Sequence, residues 1–193
     1  MVKIEDVPML RNSKKSYGSV AILFHWLTAF LVISMIFAGF IMHDLKDYEL
    51  RRTVYMLHKS FGSMILLLAL IRLIWRIFNK LPELEEIIPR YQKIIGRTVH
   101  RIFYVILFAM PISGLSMTFF AGRPLNLFGI YTIDLKLKRN WSLFKLAHDY
   151  HGKIAYILIF LISIHTLAAF WHHTIQKTNV LTRIWPYWPL SKR

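Results

Sequence analysis

Apolar residues gather into four long runs separated by short polar stretches, and this alternation dominates the chain. A helix that crosses hydrocarbon needs about 20 mostly apolar residues. Ser19–Met42, Thr53–Phe78, Thr98–Phe120 and Leu146–Thr174 each meet that requirement. Within them, Trp26 to Met42 and Ile154 to Ile164 hold no acidic, basic or imidazole side chain. The pattern predicts an all-α membrane protein, a four-transmembrane-helix bundle, with residues 1–193 forming one domain. No internal repeat or low-complexity segment is visible.

The polar connections punctuate these runs. Residues 1–18 form a basic arm too polar for a signal peptide, and the apolar run after it is too long for an h-region. The first helix is therefore expected to be an uncleaved anchor. His43–Arg52 is a short turn containing His43, whereas Asn79–Arg97 carries Pro82 and Pro89. In that second connection Ile87, Ile88, Tyr91, Ile94 and Ile95 recur at helical spacing, which predicts a short interfacial helix. The longest loop, Ala121–Lys145, holds Gly122-Arg123-Pro124 and the basic run Lys136-Leu137-Lys138-Arg139. Trp185, Tyr187 and Trp188 lie among prolines, the composition of an interfacial aromatic belt.

Composition narrows the function classes. The chain is 55% hydrophobic and 18% charged, with a mean hydropathy of +0.42. Its net charge of +15 suits loops that meet anionic lipid head groups. Nucleic acid is not an expected partner, because no soluble domain exists to present a groove. With both termini in the cytoplasm, Lys and Arg number 15 inside and 10 outside, the bias that the positive-inside rule favours. Arg72 and Arg76 are then expected to snorkel toward the inner interface. Cysteine is absent, which excludes disulfides, iron–sulfur clusters and covalent c-type haem. Any haem must be held non-covalently by histidine or methionine.

Histidines inside the apolar runs bring in the chemistry. An imidazole in hydrocarbon is costly unless it finds a partner or a function. His151 and His165 lie 14 residues apart on the fourth helix. At 3.6 residues per turn both leave nearly the same face, about 21 Å apart along the axis. One helix thus offers ligands at two levels. His148 points about 100° away from His165. Depth supplies the partners. His58 lies six positions from Arg52, and His151 six from Lys145. His25 is ten from Lys15 and His165 twelve from Lys177, nearer the other side. His58 therefore pairs with His151 in the outer half, and His25 with His165 in the inner half. These four are the candidate metal ligands. Each is followed one turn later by a small residue (Ala29, Gly62, Ala155 and Ala169), which leaves room for a flat macrocycle on the same face. His148 also passes this test through Gly152, so only the facing argument sets it aside.

Other residues are secondary candidates for cofactor contact. Arg123 offers a guanidinium that can bind a haem propionate bidentately. His100, beside Arg101 at the inner start of the third helix, is either solvated or in contact with a propionate or a quinone head group. His172 lies seven positions past His165 and would replace it as partner of His25 if the first helix sat shallower. His172 and His173 also read as interfacial anchors. No catalytic residue is assigned.

These residues resemble the bacterial cytochrome b561 family, the four-helix, di-haem b type, over most of the chain. The matching stretches are Phe24-His25-Trp26, Leu57-His58, and His100-Arg101-Ile102-Phe103-Tyr104 running on to Met110-Pro111-Ile112-Ser113-Gly114. Further matches are His151, His165, Ala168-Ala169-Phe170-Trp171-His172-His173, Gly122-Arg123-Pro124 and Leu127-Phe128-Gly129. The resemblance implies two haem b groups per chain, held by His25 with His165 and by His58 with His151. It also implies the bacterial inner membrane, electron exchange with quinone, and superoxide or a redox partner protein as candidate donor. One departure is His148, three residues before His151, which leaves a ligand swap between them open. Two rival readings are a haem-binding anchor subunit of a dehydrogenase or hydrogenase, and a histidine-based proton or metal transporter. Against the transporter, no Asp or Glu lies in the core of any helix.

Overall fold

The computed structural model describes residues 10–14, 16–83 and 87–185. Four helices dominate it: α1 Ser19–Ile41, α2 Tyr48–Phe78, α3 Arg90–Phe120 and α4 Trp141–Thr174. All four are long and apolar enough to cross a membrane. A two-stranded antiparallel hairpin, β1 Leu125–Leu127 and β2 Tyr131–Ile133, occupies the α3–α4 connection.

Three helices begin earlier than the apolar runs predict. The α2, α3 and α4 helices start at Tyr48, Arg90 and Trp141, against expected starts at Thr53, Thr98 and Leu146. Hydropathy measures the part that crosses hydrocarbon, whereas a helix continues until its backbone donors are capped. Asp47 caps α2 by accepting from the Leu50 amide at 2.7 Å, and Asn140 caps α4 by accepting from the Leu143 amide at 3.0 Å. Pro89 stands at the N-cap of α3. As a result, the interfacial helix expected around Tyr91 and Ile94 is the first turns of α3 itself. The 31 residues of α2 rise about 46 Å, well beyond a hydrocarbon core of about 30 Å.

The core is a single apolar layer at mid-height. Leu31 and Val32 of α1, Ile65, Leu68 and Ala69 of α2, Ile106 and Leu107 of α3, and Leu158 of α4 are buried together. Each lies between the two histidine levels of its own helix or bundle, so the layer separates them. Outward-facing Phe30, Phe37, Leu67, Val105, Phe160 and Leu167 are exposed, as lipid contact requires. The packing is uneven. Along its length α4 leans on α3, while its backbone scarcely approaches α1 or α2. Side chains bridge that gap.

The two ends are closed differently. Where α1 begins, the amino-terminal segment folds back so tightly that a Cβ on Gly18 would lie 2.4 Å from the Leu10 carbonyl oxygen. The carboxy-terminal segment covers the same end: Trp26 Nε1 donates to the Ile184 carbonyl at 2.8 Å, and the Trp26 and Trp185 rings meet edge-on. Tyr187 and Trp188 lie outside the described residues. At the opposite end Ser60, almost fully buried on α2, pins the hairpin. Its Oγ donates to the Met56 carbonyl at 2.8 Å and accepts from the Phe128 amide at 2.8 Å. Phe128 and Gly129 both take positive φ, 54° and 74°, the pattern of a tight hairpin turn.

Candidate functional site

Helical spacing and capping bring imidazoles together at two levels. His58 is the eleventh residue of α2 and His151 the eleventh of α4, so both hang at the same depth below the hairpin end. Their ring centres are 6.3 Å apart. At the end where α1 begins, the rings of His25 and His165 are 6.4 Å apart. A metal–imidazole bond is about 2.0–2.1 Å and the ring centre lies roughly 1.1 Å beyond the nitrogen, so one metal between two imidazoles separates their centres by about 6.3 Å. Both pairs match that span.

His100 belongs to the second cluster but not to that geometry. Its ring centre is 5.3 Å from that of His165, too close for the two to face each other across one metal, and Phe103 packs edge-on against His165 at the same distance. His100 is therefore half-buried against a candidate ligand rather than solvated beside Arg101. His172 makes no ring contact with His25 among the described residues; its Nδ1 is buried and unpartnered. His148 faces elsewhere, stacked on Phe144 and 3.5 Å from Asp149, with its side chain more than half exposed. The structure thus sets His151, not His148, across from His58. Arg123 is exposed in the turn after α3, close enough to Lys59 for the two charges to repel. His43 lies in the α1–α2 turn, where its Nδ1 pairs with the Tyr55 hydroxyl at 2.9 Å.

The expectation that Arg72 and Arg76 snorkel to the inner interface fails for Arg72. Arg72 turns inward and donates to His25 Nδ1 at 3.2 Å, and both guanidiniums lie over the Tyr104 ring.

Several supporting residues have no role legible in the sequence, although Ser113 and Gly114 lie in a stretch that carries the family resemblance. Ser113 Oγ donates its one proton to the Met110 carbonyl at 2.7 Å, so its lone pair must accept from His151 Nδ1 at 2.9 Å. This holds the His151 proton on Nδ1 and leaves Nε2 free as a ligand. Glycines make room for the rings: a Cβ on Gly114 would lie 3.2 Å from His151 Cε1, and one on Gly39 would lie 3.5 Å from His58 Cε1. Serine and glycine one helix away from a histidine give no sequence signal until the helices are paired.

The site fits a large planar group better than a bare ion. Among the described residues no cluster of three or more His, Asp or Glu could enclose a metal. Each level instead offers two opposed ligands, which leaves the plane between them for a macrocycle. The thinly bridged gap beside α4 supplies the slot, and Gly62, one turn after His58, faces open space. His58 Nδ1 is buried without a hydrogen-bond partner, an expense with no return in a purely structural residue.

Four membrane-length helices with imidazoles opposed at two levels define the architecture of a membrane cytochrome. The chain belongs to the prokaryotic cytochrome b561 family, whose description matches residues 16–187. It is 29% identical over 174 residues to cytochrome b561 homolog 2 of Escherichia coli (strain K12), covering 90% of this chain and 93% of that protein. It is 28% identical to the probable superoxide oxidase CybB of Yersinia pestis, covering 89% of this chain and 97% of the relative. Cytochrome b561 homolog 1 of Escherichia coli (strain K12) is 26% identical over 88% of this chain and 97% of its own length. The protein is accordingly a multi-pass membrane cytochrome of the b type that serves electron transfer.

Proposed function

We propose that this protein is a one-domain electron conduit across the bacterial inner membrane, with two haem b groups per chain and both termini in the cytoplasm. His25 with His165 would hold the inner haem, and His58 with His151 the outer one. The observation that carries this reading is the pair of ring separations, 6.4 Å and 6.3 Å, at two levels of one bundle. Haem held by these histidines would supply one-electron ferric–ferrous chemistry.

The chain's own residues do the rest. Ser113 orients His151, while Gly39 and Gly114 admit the rings of the outer pair. The apolar layer of Leu31, Val32, Ile65, Leu68, Ile106, Leu107 and Leu158 keeps water from the space between the levels. The 14-residue offset of His151 and His165 sets the spacing of the levels at about 21 Å. Quinone is the proposed exchange partner, docking at the inner end near His100 and His172. At the outer end Arg123, Lys136, Lys138 and Arg139 form a cationic rim that would draw a small anion by electrostatic steering. Superoxide is the proposed donor there, in keeping with the name of the Yersinia pestis relative. Arg123 also remains a candidate partner for an outer haem propionate.

Reduced-minus-oxidised spectra and a pyridine haemochrome count of the purified chain test the reading. Two haems in the native protein and one each in His58→Ala and His165→Ala are expected. Unchanged haem content in both variants would refute the assignment. Turnover of superoxide with quinone by the chain alone distinguishes an oxidoreductase from an anchor subunit that needs a soluble partner.

A further inference from the structure

Arg72 and Arg76 sit one turn apart on α2, half-buried at the end where α1 begins. Both guanidiniums lie over the Tyr104 ring, at 5.9 and 5.2 Å. Among the described residues neither has a carboxylate within ion-pair distance; the ion pairs there are Arg52 with Glu49 and His148 with Asp149. Cations removed from water without a counter-charge are costly, so this pair calls for an anion.

The contact that Arg72 makes with His25 points to when the anion arrives. Its guanidinium lies 3.2 Å from His25 Nδ1 and can only donate, so that nitrogen must be bare and the proton of the neutral ring must sit on Nε2. A histidine that gives Nε2 to a metal carries its proton on Nδ1 and needs an acceptor there. Arg72 would then face it donor against donor. If Nδ1 is the ligating nitrogen, the contact is lost as well. Whichever nitrogen binds iron, Arg72 must leave His25.

We infer that Arg72, with Arg76 beside it, receives a propionate carboxylate of the haem seated between His25 and His165, exchanging its bond to His25 for a charge-assisted one as the site loads. The inference rests on the proposed ligation by that pair. It makes the arginines a binding site for the haem's acidic edge, and it makes the released guanidinium part of the loading step. The bundle end is the right place, because the acidic edge of a porphyrin turns toward the polar face of the membrane while its apolar edges stay in the core.

The test uses the full chain carrying His58→Ala, so that only the His25–His165 site loads, titrated with haem b and with its dimethyl ester. The free acid is expected to bind about tenfold or more tighter than the ester, the range of one charge-assisted hydrogen bond. Arg72→Gln should bring that ratio close to one while ester binding persists, and Arg72→Lys should restore part of it. An Arg72→Gln protein that loses acid and ester alike, or neither, overturns the inference alone. Failure of the His58→Ala chain to bind either form overturns the ligation proposal and this inference with it.

Discussion

Removing the Ser113 hydroxyl should change one haem and leave the other alone. The serine's proton is committed to the Met110 carbonyl at 2.7 Å, so its oxygen can only accept from His151 Nδ1, 2.9 Å away. In Ser113→Ala that N–H loses the serine oxygen and keeps only the neighbouring Met110 carbonyl as an acceptor. Loss of one such hydrogen bond costs about 0.5–1.5 kcal/mol. Loss of the partner of a metal-bound histidine lowers affinity about 10–100-fold. The hydroxyl also makes the imidazole a stronger electron donor, which favours ferric iron, so its loss should raise the midpoint potential. A tenfold change in the ferric-to-ferrous preference corresponds to about 59 mV for one electron. An upward shift of tens of millivolts is therefore expected, in the haem that disappears in His58→Ala. Spectroelectrochemical titration of the purified protein in detergent measures it, with Ser113→Thr as the control that keeps the hydroxyl. Two unchanged midpoints with unchanged haem affinity, or a shift confined to the haem lost in His165→Ala, would refute the role given to Ser113.

Four further outcomes follow from the same geometry. Gly114→Val should drive the His151 ring out of place, since even a lone Cβ would lie 3.2 Å from Cε1; haem content should fall from two to one per chain. Gly39→Ala should keep both, because its Cβ would meet His58 at an ordinary 3.5 Å. His100→Gln should retain both haems by haemochrome assay, because a ring 5.3 Å from His165 is too close to face it across a haem iron. Ser60→Ala should destabilise the hairpin end by about 1–3 kcal/mol, read as a lower thermal midpoint in detergent, because the Phe128 amide loses its acceptor. Phe128 already holds a left-handed backbone, which a β-carbon makes unfavourable.

Much of the fold was legible because hydrocarbon imposes a length and a composition on anything that crosses it. The four helices follow from the apolar runs alone. Their true starts did not, since Asp47 and Asn140 cap helices well outside the membrane-crossing part and hydropathy is blind to capping. The hairpin at Leu125–Ile133 is not legible in the sequence: three-residue strands leave little pattern, and Ser60 on another element holds this one in place.

At the site, the sequence alone determined which histidines share a face and a depth. Position along a helix converts directly to height and angle, and His151 and His165 show it most clearly. What tertiary structure alone decided is azimuth between helices. The rotation of α3 against α4 places Ser113 and Gly114 at His151, and that of α2 against α1 turns Arg72 onto His25. The same packing presses His100 against His165. Those rotations depend on how side chains of different helices interdigitate, a property of pairs of surfaces that no single helix encodes.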